Sequence, residues 1–198
     1  RWLTLEQPRL LRTEIQGERV TLKQLTADQA VTVASGRVLT GEYATPPTAW
    51  DKITGKAIKG LYESGQLIHG PAFQAVKSLV MGDSGSSSVL DLGRLGAPLG
   101  VLNQALLDAS LHGIPHADLG LWSEAIAPSK VAYPTLLTRL DVYGPTPTQG
   151  TLRCECRFVG FLSKPDFPKF QVQLINKHHQ VWLAFELVEA CFDKGPIG

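Results

Sequence analysis

The sequence predicts an α+β fold in which a curved antiparallel sheet wraps one long, mostly apolar helix. Two observations carry that expectation. Between Pro98 and His112, Leu99, Leu102, Leu106 and Ala109 recur at three- and four-residue steps, which lays one apolar stripe along a helix. Toward the C-terminal end, the runs LRCECRFVGFL, KFQVQLI and QVWLAFELVEACF alternate apolar and polar residues, the period of strands with one buried face.

The remaining elements follow in chain order. ERVTLKQLT at 18–26 and AVTVASGRVLTGE at 30–42 place Val20 and Leu22, then Val31 and Val33, on alternate positions, so the pair reads as a hairpin. TPPT at 45–48 interrupts both helix and ladder and marks the boundary. Residues 1–45 are therefore set apart as an N-terminal strand hairpin and 46–198 as the main domain. Asp51 to Gly65 reads as a short helix broken by Gly55 and Gly60. Gly70 and Pro71 bend the chain before an apolar strand, DSGSS at 83–87 is a flexible turn, and SVLDL is a further short strand. The helix expected over 98–112 stops at Gly113 and Pro115, a glycine cap followed by a proline. VAYPTLLTRLDVYG supplies a strand after Pro134, and NKHH, containing His178 and His179, turns one closing strand into the next.

Composition narrows the function. The chain has 198 residues, 43% of them hydrophobic, enough for a sizeable core and too many for a disordered chain. A net charge of +1 gives no strong pull on nucleic acid or membrane surfaces, and no apolar run is long enough to span a bilayer. The opening RWLTLEQPRL lacks a signal-peptide pattern. Three cysteines are too few for a disulfide scaffold and fit a reducing cytoplasm. Cys154 and Cys156 read as buried thiols, because no second ligand pair follows to complete a zinc site. Trp50, Trp122 and Trp182 read as core or rim residues.

The stretch LLDASLHG stands out. Asp108 lies among Leu106, Leu107, Ala109 and Leu111, and His112 follows one turn later on the same face. Two readings stay open from these residues: a solvated i,i+4 pair, or a proton donor kept in a partly apolar pocket.

Here the chain resembles a known family. LYESGQLIHGPAFQAVKSL is similar to the segment of polyketide synthase dehydratase domains that ends in YGPAFQ, and LLDASLHG resembles their LLDA helix, which holds the catalytic aspartate. Both motifs occur in the family order, and the likeness runs from about residue 52 to 192. It implies a hotdog fold, a long helix cradled by a curved sheet, forming part of a double hotdog. It also implies Asp108 as the catalytic acid and His112 as the residue that orients it. His69, Gly70, Pro71 and Phe73 become substrate-binding positions. The chain departs from the family by carrying His69 where tyrosine is common and Asn103–Gln104 where histidine–proline is common. The family's base-bearing motif, H-x-x-x-G-x-x-x-x-P, does not occur. His116 and Gly120 match its first part, but position 125 is Ala125 and they follow the aspartate. Residues 1–45 thus look like the tail of a preceding hotdog, or a stray hairpin, without the base. The base then belongs to a longer parent chain or to another chain, as in a homodimer, or the domain is degenerate. These residues alone are expected to dehydrate weakly or not at all.

The implied reaction removes water from a 3-hydroxyacyl thioester. A base takes the Cα proton, which the thioester acidifies, and an acid protonates the departing hydroxyl. A carboxyl group held by burial in its protonated form suits the second task, because desolvation penalises the carboxylate. The backbone N–H near Gly70, or the start of the helix near Pro98, is a candidate to polarise the carbonyl. No cofactor and no metal are implied. The substrate rides on the phosphopantetheine arm of an acyl carrier protein within a polyketide or fatty acid synthase, beside the other synthase domains. Lys52, Lys56 and Lys59 form a candidate carrier contact, or simply a solvated face. Two alternatives of other classes remain: a non-catalytic structural or docking hotdog of the same assembly, and a related product-template cyclase, isomerase or thioesterase.

Overall fold

The structure is a computed structural model and describes residues 8–64, 67, 69–97, 100 and 102–195. The chain divides into two compact units, Arg1–Glu42 and Tyr43–Gly198. In the first, strands β1 (Leu10–Gln16), β2 (Arg19–Leu25) and β3 (Ala30–Arg37) form an antiparallel meander in that order. The hairpin expected from the sequence is there, but β1 adds a third strand to it. Leu10 and Leu11 in succession blur the alternation of LLRTEIQ, although Arg12–Lys23 and Ile15–Val20 pair in full register.

The second unit is built on one seven-stranded sheet. Its strands are β4 (Lys56–Ile58), β5 (Val76–Met81), β6 (Gly85–Asp91), β7 (Lys130–Val142), β8 (Thr151–Phe161), β9 (Pro168–Ile175) and β10 (Val181–Asp193). Their spatial order is β4-β5-β6-β8-β9-β10-β7, every neighbouring pair antiparallel. Placing β7 beside β10, not β6, leaves room for the chain between β6 and β7 to pass over one face. That connection carries helix α1 (Gln104–Ala109), whose Ala105, Leu106 and Ala109 are fully buried. Leu106 and Ala109 share a core with Leu90, Cys154, Phe170, Leu174 and Leu183 of the sheet. Alternation along β8 and β10 supplies this face, as the sequence pattern requires.

The opposite face is polar yet covered. Glu155, fully buried, accepts from Ile53 N, Ser87 Oγ and Arg153 Nη1. Gln173 accepts from Trp50 N and donates to the Thr48 carbonyl. The segment 48–53 is thereby strapped across the sheet by side chains that satisfy its backbone. Arg157 stacks its guanidinium over Trp50, while Trp122 and Trp182 are buried.

Four sequence expectations are corrected. The central helix is six residues long, not the long helix expected over 98–112. Asn103 has extended backbone and its side chain accepts from Leu106 N at 3.0 Å, so it caps the helix there. The apolar stripe continues past the end because residues 110–113 are tight turns on the same core; Leu99 lies outside the described residues. Gly113 is not the helix cap either, that place being taken by Ser110. A Cβ at Gly113 would sit 2.5 Å from Ser86 Oγ, so a larger residue there would force that side chain to shift. Finally, Asp51–Gly65 is not a helix. Its middle pairs as β4 with β5, and Gly55, at φ +157, brings its Cα where a Cβ would strike the Met81 carbonyl. Pro134 lies inside β7, not before it, at a register shift on a strand that forms one end of the sheet, where proline is tolerated.

Candidate active site

Asp108 occupies the last turn of α1, and His112 follows in the tight turns that end it, so their four-residue spacing becomes contact. His112 Nε2 lies 3.1 Å from Asp108 Oδ2. The His112 side chain is only 2% exposed while that of Asp108 is 37% exposed. This is not a solvated pair: a buried imidazole holds a carboxyl group whose other side reaches solvent. The imidazole is itself held, since Tyr62 Oη lies 2.9 Å from its Nδ1 and accepts from Val76 N at 3.1 Å. With the Val76 N–H donated to the phenol, the phenol's own hydrogen is free for His112 Nδ1. In that arrangement His112 carries a hydrogen on Nε2 and donates it to Asp108 Oδ2. Burial raises the Tyr62 pKa and keeps that phenol a donor.

A second imidazole approaches from the loop before β5. His69 Nε2 lies 3.4 Å from the same Asp108 Oδ2. Its ring rests on that of His112, centroids 4.1 Å apart. The loop owes its course to Gly70 and Pro71, which start a short 3-10 turn over Pro71–Phe73 beside α1. Gln74 Nε2 donates to the His69 carbonyl at 2.8 Å and Phe73 N to that of Gly70 at 3.0 Å. Gly70 and Pro71 are exposed and Phe73 is half-buried. Burial, with the neighbouring His112, lowers the His69 pKa, and Asp108 only partly opposes this. Nδ1 of His69 is buried with no partner among the described residues.

A third imidazole lies nearby in a different state. His116 Nδ1 is 3.0 Å from Glu189 Oε1 and 3.1 Å from Oε2, and its Nε2 faces the Leu111 carbonyl at 3.2 Å. Both partners are acceptors, so only the imidazolium satisfies them. Burial opposes that charge, but the hydrogen bond and charge of Glu189 outweigh it and raise the His116 pKa. Glu189 has no exposed surface. His178 and His179 sit in the exposed β9–β10 turn, with His179 at φ 59.

Sequence reasoning named Asp108, His112 and His69, but gave no part to Tyr62, Gln74 or Glu189. Tyr62 stands inside the quoted LYESG segment, which was the one signal for it. Glu189 shares the parity of the inward residues Leu183, Phe185 and Leu187 and is fully buried. The start of α1 offers no oxyanion site, because the capping Asn103 is buried and the helix is too short. Cys154 and Cys156 are buried, and desolvation pushes the Cys154 thiol up to about 12, which leaves it inert. His69, Asp108 and His112 together offer three ligand atoms within 4.8 Å of one another, a set that a divalent metal ion could bridge. No helix among the described residues is long and apolar enough to cross a membrane.

No protein-family model matches the chain, and no curated protein matches it in sequence. Its fold is matched by solved structures. The dehydratase domain from the CurJ module of curacin polyketide synthase superposes with a TM-score of 0.64 at 14% identity, covering 92% of this chain and 67% of that one. A trans-AT polyketide synthase dehydratase domain from Brevibacillus brevis gives 0.65 at 17% identity, over 93% of this chain and 69% of that one. The dehydratase domain of PpsC from Mycobacterium tuberculosis gives 0.61 at 20% identity, over 92% and 67%. An antiparallel sheet with one short helix on its face, carrying Asp108 at that helix's end, thus has the fold of the polyketide synthase dehydratase domains.

Proposed function

We propose that this chain is a dehydratase-like domain that removes water from 3-hydroxyacyl thioesters carried by an acyl carrier protein in a polyketide or fatty acid synthase. One observation supports this most: Asp108 is half exposed to an incoming substrate while buried His112, itself fixed by Tyr62, holds its Oδ2. Elimination moves only protons and a hydroxyl group, so the reading needs no redox cofactor. Asp108 delivers a proton to the departing hydroxyl. His112 is a positioning residue, since both its nitrogens are engaged and its ring is inaccessible. Gly70, Pro71 and Phe73 form the rim against which the acyl chain lies. A place beside a second hotdog, a carrier-protein partner and a cytoplasmic setting belong to the same reading.

The test is Asp108→Asn in the full chain. Asparagine keeps the shape and can still accept from His112, but it has no carboxyl proton to transfer. Removing a positioned acid costs about 10²–10⁴-fold in rate. Turnover of a 3-hydroxyacyl-carrier substrate should fall by that much while the melting temperature stays within a few degrees. Full activity with asparagine at 108 refutes the acid role.

A further inference from the structure

We propose that His116 is a positioning residue for this site, acting through the Leu111 carbonyl on His112 and so on Asp108. The inference rests on the dehydratase reading and deepens it. Its first support is the peptide between Leu111 and His112, whose two polar ends are both held. The His112 N–H donates to the Ala109 carbonyl at 3.2 Å. The Leu111 carbonyl accepts from Ile114 N at 2.9 Å and faces His116 Nε2 at 3.2 Å. Both groups lie in one peptide plane, so a shift of the carbonyl turns the backbone from which His112 projects. His112 Nε2 is 3.1 Å from Asp108 Oδ2, and that contact moves with the same backbone.

The second support is what stands behind His116. Its Nδ1 is 3.0 Å from Oε1 and 3.1 Å from Oε2 of Glu189 on β10, a carboxylate with no exposed surface. Its own carbonyl accepts from Ala132 N, near the start of β7, at 2.9 Å. β7 and β10 are neighbours in the sheet, so the side chain and the backbone of His116 are tied to the same pair of strands. With Glu189 accepting at Nδ1 and Leu111 at Nε2, the ring carries both hydrogens and has one to give to the carbonyl. The line runs from the β10 carboxylate through the imidazolium and the Leu111 carbonyl to the backbone of His112.

The third support is that stability alone does not call for this pair. A buried ion pair can often be exchanged for apolar side chains of similar volume with little loss of stability. Such side chains would fill the space between β10 and the turn, but they would leave the Leu111 carbonyl without its ring donor. Misplacing a catalytic group by about 1 Å can cost about 10²-fold in rate, so a small turn of the 111–112 peptide is enough to matter at Asp108.

The experiment compares the full chain with three variants: His116→Met combined with Glu189→Leu, His116→Gln alone, and Glu189→Gln alone. The double variant replaces the ion pair by apolar side chains of similar volume, so no charge is left buried alone. His116→Gln covers the case in which the double variant does not fold. Its amide goes to the carboxylate, the stronger acceptor, and leaves Leu111. Ring 15N–1H NMR of histidine-labelled protein reads the His112 Nε2 hydrogen, which in the parent should exchange slowly with water. That signal should broaden or vanish in both variants lacking His116, while the backbone amides of β6 and β8 keep their parent positions. Glu189→Gln should retain it, because the new amide donates to Nδ1 and leaves the hydrogen on Nε2. In turnover of 3-hydroxyacyl pantetheine thioesters, kcat of the variants lacking His116 should fall about 10²-fold with KM within about threefold of the parent. An unchanged His112 signal in a folded variant lacking His116 overturns the proposal. Equal loss of the signal in Glu189→Gln overturns the route through Nε2. A lost signal with the parent's kcat overturns the effect on turnover and leaves the dehydratase reading standing. Full activity of Asp108→Asn removes that reading's acid, and the ring signals still decide whether His116 holds His112.

Discussion

Tyr62→Phe deletes one oxygen and strands two partners. The phenol lies 2.9 Å from His112 Nδ1 and accepts from Val76 N at 3.1 Å. The His112 side chain is 2% exposed and Val76 is 7% exposed, so neither can turn to bulk water. A buried polar group left unpaired costs about 1–3 kcal/mol. Tyr62 itself is only half-buried, so a water can partly replace the oxygen, and the lower part of that range applies to each partner. The sum is about 2–3 kcal/mol. At about 2–4 °C per kcal/mol for a domain of this size, the melting temperature should drop by roughly 4–12 °C. Loss of the phenol also frees the His112 tautomer, so the Nε2–H that holds Asp108 is no longer enforced. A misplaced catalytic group can cost about 10²-fold, and turnover should fall toward that limit without a matching rise in KM. Urea unfolding and steady-state kinetics on the same preparation measure both effects. A Tyr62→Phe protein with the parent's urea midpoint and kcat refutes the tautomer argument.

Three further outcomes follow from the same geometry. His116 has a folded pKa raised above its ordinary 6.5, so the stability it supplies is complete below about pH 6.5 and is lost as pH rises through the folded value. Melting temperature should therefore fall as pH rises above about 6.5, and His116→Gln should abolish that slope; an unchanged slope in the variant would mean another group causes it. Glu155→Ala strands the Arg153 guanidinium and releases the Ile53 N–H, and removing one partner of such a buried pair costs about 3–5 kcal/mol. A loss under about 1 kcal/mol in denaturant melts shows that the 48–53 strap does not depend on it. Zinc ions should inhibit turnover reversibly by binding the accessible His69 and Asp108, with a chelator restoring activity. Inhibition that survives His69→Asn points to a different site.

How much of this was legible in the sequence varies with the range of the interaction. Alternation in LRCECRFVGFL and QVWLAFELVEACF set the strands and their inward faces, because a period of two is fixed by the chain's own geometry. The Asp108–His112 spacing likewise announced a contact within one turn. Helix length escaped, because a stripe of Leu102, Leu106 and Ala109 reads the same whether the chain is one helix or a capped turn of helix followed by tight bends. Only the Asn103 side chain, folded back onto Leu106 N, decides between them. Glu189 escaped because its partner, His116, lies 73 residues away in the chain, and no local pattern pairs the two. The partnership of His69 with Asp108 was decided by tertiary structure alone. Backbone hydrogen bonds and core packing bring the loop before β5 against α1, and no local pattern encodes which of five imidazoles will meet a carboxylate once the chain has closed.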